Sequence, residues 1–199
     1  MRALAVAYPG PEADGELASS PNPPAPLLPG PGATLPRRRV DLLAIAQGFA
    51  VSAPSITELH DLTERSWILL AVTDLFEAWA IGWPPGGNIE LHDHGPSAGA
   101  VVVAGGLLTE TTVRPTDQGV ALIQTHLLGE GDHRTFGPHY VHDITNDHDE
   151  QALSVHVYGP RLTHMTFYEL DRLGRLGALR VEELEPVGPF DTTASHDPS

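Results

Sequence analysis

The sequence predicts an all-β domain, a barrel or sandwich of short strands set behind two short helices. Three observations lead there. From residue 66 onward, runs rich in β-branched and aromatic residues recur at roughly ten-residue spacing. Turn-forming clusters separate them, among them Pro84-Pro85-Gly86-Gly87, Gly105-Gly106, Asp117-Gln118-Gly119, Gly129-Glu130-Gly131-Asp132 and Gly159-Pro160. Helical periodicity is confined to a short stretch ahead of these runs.

Taken in order, residues 1–36 are dense in proline, glycine and alanine and carry no periodicity. They read as a flexible leader, since proline removes the amide donors that helix and sheet need. One domain is expected over 37–186, with a frayed tail over 187–199. In "RRRVDLLAIAQGFAVS", Val40, Leu43, Ala46 and Phe49 fall on one helical face. "PSITELHDLTER" offers Ser55 as an N-cap with Glu58 three residues on, the capping-box spacing of a second helix. The expected strands are "SWILLAV", "LFEAWAIGW", "AGAVVVAGG", "LLTETTVR", "VALIQTHLL", "YVHDIT", "QALSVHVY" and "HMTFYEL".

Composition limits the function. The 199-residue chain has a formal net charge of −15, from 26 acidic and 11 basic residues, all of the latter arginine. Such a surface repels phosphate backbones and anionic membranes, so neither nucleic acid nor membrane is an expected partner. With no cysteine, the chain has no disulfide and no thiolate of its own to act as nucleophile or ligand. The N-terminal apolar stretch is short and soon broken by proline, which leaves a cytoplasmic location as the expectation.

The histidines carry the chemistry. In "GGNIELHDHGPSAGA", His92 and His94 flank Asp93. In a strand, i and i+2 share a face, so both imidazoles can aim into a barrel and chelate one ion. A third ligand must come from a distant strand, and His142 in "GPHYVHDITN" is placed to supply it. The spacing extends further. Gly86, five residues, His92-x-His94, four residues, Gly99, six residues and Gly106 follow the first cupin motif. Gly131, ten residues, His142, three residues and Asn146 follow the second, with Gly137 and His139 where proline and glycine are usual. The chain thus resembles the cupins, which implies a double-stranded β-helix, or jelly-roll, barrel. The first motif normally carries glutamate where this chain has Gly99. The resemblance therefore implies a site of three neutral imidazoles with open coordination, suited to iron(II) and dioxygen.

Within the cupins, "HDHGPSAG", "VHDITN" and above all "SVHVY" resemble the cysteine dioxygenase family over roughly residues 55–170. Serine, histidine and tyrosine at alternate positions also fit an ordinary solvated strand face. Beside two motifs in register, the resemblance implies instead that Tyr158 stands near bound oxygen and thiol, that His156 orients it, and that Ser154 supports His156. Mammalian-type members cross-link that tyrosine to a cysteine. Here the matching position is Gly99, which implies a free phenol as in bacterial members. The family grips a substrate carboxylate with an arginine near the first strand pair. Alignment through Glu77 and Pro84-Pro85 puts that position near Trp67 or Ile68, so Arg65 serves only with a shift of about two residues, and Arg134 and Arg161 are the other candidates. The implied activity is an iron(II) thiol dioxygenase acting on a small thiol and dioxygen, as a monomer or small homo-oligomer. Another cupin metalloenzyme, including a specialised oxidation in a biosynthetic pathway, and a non-catalytic binding cupin remain open.

Overall fold

Eleven strands make two antiparallel sheets, seen in a computed structural model that describes residues 40–117 and 119–185. The expected leader (1–36) and tail (187–199) lie outside the described residues. One sheet has five strands in the order β1 (Ser66–Val72), β2 (Glu77–Trp83), β9 (Ala152–Gly159), β4 (Ala98–Gly105) and β7 (His133–Phe136). The other has six, in the order β11 (Leu176–Glu183), β10 (His164–Leu170), β3 (Asn88–Asp93), β8 (Val141–Thr145), β5 (Leu107–Arg114) and β6 (Leu122–Gly129). The predicted all-β cupin barrel is therefore what the chain forms. No helix among the described residues is long and apolar enough to cross a membrane.

Period-two alternation decides which residues of the five-stranded sheet face inward. On its outer face Ala78, Ala80, Ala100, Val102, Val155 and Val157 form an apolar surface of small and β-branched side chains. The helix α1 (Leu42–Ala50) covers that surface through Leu42, Leu43, Ala46 and Phe49. Asp41 caps it, its side chain accepting from the Ala44 amide at 3.0 Å. With Val155 and Val157 committed to the helix, Ser154, His156 and Tyr158 must point into the barrel. Between the sheets, Trp83, Val103, Leu108, Leu128 and Ile144 pack as a second apolar cluster below the site.

The second expected helix does not form. Residues Ala53–Ser55 and Thr57–Leu59 are two separate 3₁₀ turns joined by an extended Ile56, and Ser55 ends the first turn instead of capping a helix. Tertiary partners capture the groups an α-helix would use. The Gln151 side chain takes the Leu59 carbonyl and the Leu62 amide, and the His60 ring bonds the Pro54 carbonyl. Leu59 is thereby pulled into the core. Beyond the eight expected runs and the strand implied by His92 and His94, β7 and β11 also form. The first is only four residues long, and the second is mostly exposed, so neither shows the alternation that marks a strand.

Candidate metal centre

His92 and His142 are directly paired across β3 and β8, and His94 lies one residue past the end of β3. All three are buried, and their ligand atoms lie within 4.8 Å of one another. The strand geometry expected for His94 is thus replaced by a turn, yet the imidazoles still meet. Asp93 makes that turn. One carboxylate oxygen accepts from the Gly95 amide at 2.9 Å, and the other accepts from Tyr168 Oη at 2.8 Å. Gly95 sits at φ +54°, and the His164 ring fills the space a side chain would need.

Ring tautomers follow from the outward partners. His92 Nδ1 donates to the Glu90 carbonyl at 2.7 Å, and His142 Nδ1 donates to Glu110 Oε1 at 2.9 Å. Both Nε2 lone pairs therefore face inward. His142 Nε2 is buried with no hydrogen-bond partner, while His92 Nε2 and His94 Nε2 stand 3.1 Å apart. Burial first, then neighbouring imidazoles, pushes His92 and His94 well below the usual histidine pKa. Clustered, buried imidazoles, with His142 Nε2 orphaned among them, are what a divalent cation fits.

Glu110 is a member of this centre that sequence reasoning missed. Its buried carboxylate accepts from His142 Nδ1, from Arg134 Nε at 3.0 Å and from Tyr140 Oη at 3.3 Å. Burial raises its pKa, but His142 and Arg134 outweigh that and hold it below the ordinary carboxylate value. The available signal was Glu110 at an inward position of "LLTETTVR", between Leu108 and Thr112. Gly99, where the first cupin motif has glutamate, is filled from across the strand pair. A Cβ there would run into the Phe136 ring, which stacks on His94 at 5.2 Å between centroids.

The opposite wall comes from β9 and β2. Trp83 Nε1 donates to Ser154 Oγ at 2.8 Å, Ser154 Oγ lies 2.9 Å from His156 Nε2, and His156 Nδ1 lies 3.1 Å from Tyr158 Oη. Burial pushes His156 down to about 3, so its ring is neutral, with one donor and one acceptor nitrogen. An indole can only donate. The arrangement that satisfies every group has Ser154 O–H donating to Nε2 and Nδ1–H donating to Tyr158, which frees the phenol hydrogen for the cavity. Burial, followed by the charge of Glu77, raises the Tyr158 pKa and keeps it a phenol. Its ring centroid is 4.7 Å from that of His94.

A cavity of about 820 Å³ joins the two walls, with Arg65, His92, His142, His156 and Tyr158 all lining it. Arg65 thus reaches the pocket despite its offset in sequence. Its guanidinium lies 5.2 Å from the Trp67 ring centroid and 5.4 Å from that of Trp83. Burial pushes its pKa below the ordinary arginine value, and among the described residues it forms no ion pair with a carboxylate. The other candidate arginines lie elsewhere: Arg134 is on Glu110, and Arg161 Nε is 3.5 Å from Glu77. A second arginine, Arg180, also lines the cavity, from the mostly exposed strand β11. His139, the remaining histidine nearest the motif, is exposed and lies beside Asp93, 3.6 Å from its carboxylate.

A family model described as cysteine dioxygenase type I matches residues 52–171. Among solved structures, a Thermus thermophilus protein is 20% identical over 51% of this chain and 89% of its own, with a TM-score of 0.41. Oxalate oxidase in complex with the substrate analogue glycolate is 17% identical over 50% of this chain and 53% of its own, at 0.44. A cupin domain from Schizosaccharomyces pombe is 11% identical over 48% and 60%, at 0.42. The chain spans about half the length of the oxalate oxidase chain, and these likenesses say nothing of its activity.

Proposed function

The chain belongs to the cysteine dioxygenase type I family, and from that premise we propose that it is an iron(II) thiol dioxygenase that converts a thiol to a sulfinate. The reading rests on one convergence: two of three clustered histidines, His92 and His142, a hydrogen-bonded tyrosine and an arginine without a carboxylate partner among the described residues all line one cavity. In the overall reaction a thiol and one dioxygen give a sulfinic acid. Both oxygen atoms join sulfur, which loses the four electrons that dioxygen gains.

His92, His94 and His142 are the proposed ligands. An iron(II) held by them would supply the electron exchange between sulfur and dioxygen. The chain's own residues do the rest. Arg65 takes the substrate carboxylate, since a buried guanidinium fork matches both oxygens. That charge, pinned at one end, sets where the thiol carbon can lie. Tyr158 donates its phenol hydrogen toward the reacting oxygens, and His156 fixes the ring oxygen by donating to it. Ser154 and Trp83 lock the His156 tautomer from behind. The walls of Trp67, Trp83, Ile144 and Phe167 exclude water, which strengthens each of these polar contacts.

The test is oxygen-free loading with iron(II), then dioxygen uptake with cysteine, cysteamine and mercaptopropionate side by side. Uptake matched by sulfinate formation, and absent in iron-loaded preparations of His142→Ala, is the expected result. Requiring a carboxylate, the enzyme should leave cysteamine nearly untouched. Bound iron with no uptake for any thiol would overturn the reading.

A further inference from the structure

One row of side chains runs outward from the metal centre across the six-stranded sheet. His92 on β3 pairs with Phe167 on β10, and Phe167 pairs with Arg180 on β11. The rings of His92 and Phe167 are 5.8 Å apart, and the Arg180 guanidinium lies 3.8 Å above the Phe167 ring. His92, Phe167 and Arg180 all line the same cavity. Two strand spacings of about 4.8 Å place Arg180 roughly 10 Å from His92. Cysteine spans three bonds from sulfur to amino nitrogen, or about 4 Å at the reach of an extended chain. A cavity of about 820 Å³ is also in the range that holds drug-sized ligands.

The outer half has its own chemistry. Ile89, Met165, Phe167 and Leu184 make an apolar shelf. Glu90, Glu182, Glu183 and Glu185 line this half together with the single guanidinium of Arg180, which bonds Glu90 and Glu182. Its rim is therefore net negative. His142, whose Nε2 is buried without a partner, lines the inner end of this same space.

Resting on the dioxygenase reading above, we propose that the substrate is a cysteine extended at its amino nitrogen by an apolar link that ends in a basic group. With sulfur beside the histidines and the carboxylate on Arg65, the nitrogen is the remaining substituent of the α-carbon that can carry an extension. The gap of roughly 6 Å between the cysteine nitrogen and Arg180 corresponds to one or two residues at about 3.5 Å each. The apolar part lies along Phe167 and Met165, and the cation meets Glu183 and Glu185. A peptide or acyl-cysteine of this form fits both halves of the cavity.

The experiment uses the full chain, loaded with iron(II) and free of oxygen, titrated calorimetrically with cysteine, lysyl-cysteine, leucyl-cysteine and glutamyl-cysteine before oxygen is admitted. Lysyl-cysteine should bind and turn over about tenfold better in kcat/KM than cysteine or glutamyl-cysteine, the size of one charge-assisted contact. In the Glu183→Gln/Glu185→Gln variant, the lysyl-to-glutamyl ratio should fall toward one. Free cysteine outperforming every extended thiol overturns the proposal and leaves the dioxygenase reading intact. So does equal handling of the three dipeptides. Selective binding of lysyl-cysteine with no oxygen uptake sustains the subsite and overturns the dioxygenase reading. Neither binding nor uptake overturns both.

Discussion

The two walls of the cavity hold their histidines by opposite means. On the six-stranded sheet, His142 is backed by a carboxylate, Glu110, which an arginine and a tyrosine also hold. On the five-stranded sheet, His156 is backed by a hydroxyl and an indole, with no charge in the relay. A carboxylate behind an imidazole raises its basicity and strengthens it as a ligand. A neutral relay fixes where one hydrogen sits without altering basicity, and burial keeps that ring uncharged. On the proposed reading the first wall holds a cation, and the second holds a proton in place. Changes in the first should appear as metal affinity, and changes in the second as rate.

Four substitutions sharpen or break that contrast. The largest effect is expected of Tyr158→Phe, which removes the cavity-facing phenol while keeping its ring. On the proposed reading kcat falls about 100-fold, as for loss of one preorganised donor, with iron content unchanged. Lost iron in this variant would merge the two walls into one. Glu110→Gln keeps a hydrogen-bond acceptor but removes the charge. Metal affinity, read by competition with a chelator, should weaken about 10- to 100-fold. Unchanged affinity with reduced rate would reverse the assignment of the walls. Ser154→Ala strands the Trp83 indole N–H and His156 Nε2 in the interior, so denaturant unfolding should show a loss of about 1–3 kcal/mol. Iron affinity should not move. Smallest is Gly99→Ala, whose new methyl meets the Phe136 ring. A loss of about 1 kcal/mol is expected from overpacking, relieved when Phe136→Leu is added. Additive losses in the double variant would show that the ring is not what fills the position.

Much of this site was legible in sequence because strand periodicity carries it. His92 and His142 lie in strands, and Ser154, His156 and Tyr158 alternate along one whose other face is bound to α1. His94 was placed correctly for an incomplete reason, since a turn made by Asp93 aims it. The groups behind the ligands were harder to see. Glu110 sits in a run that reads as an ordinary amphipathic strand, and only its inward parity betrays it. Trp83 and Phe136 act through contacts across strands distant in sequence, which local pattern does not encode. The failed helix after α1 has the same origin: Gln151, some ninety residues on, takes the backbone groups that a capping box at Ser55 would have ordered.

Phe136 in the place of a carboxylate has a thermodynamic consequence. None of the three proposed ligands carries a charge, so a dication among them gains its first directly bound anion when a thiolate arrives. Metal and thiol would then reinforce one another by the same factor, because linkage between two binding equilibria is reciprocal. On the proposed reading the enzyme would grip iron most tightly while substrate is plentiful and most loosely when it is scarce. Supply of thiol would then govern how much of the protein stays loaded, as well as how fast it turns over.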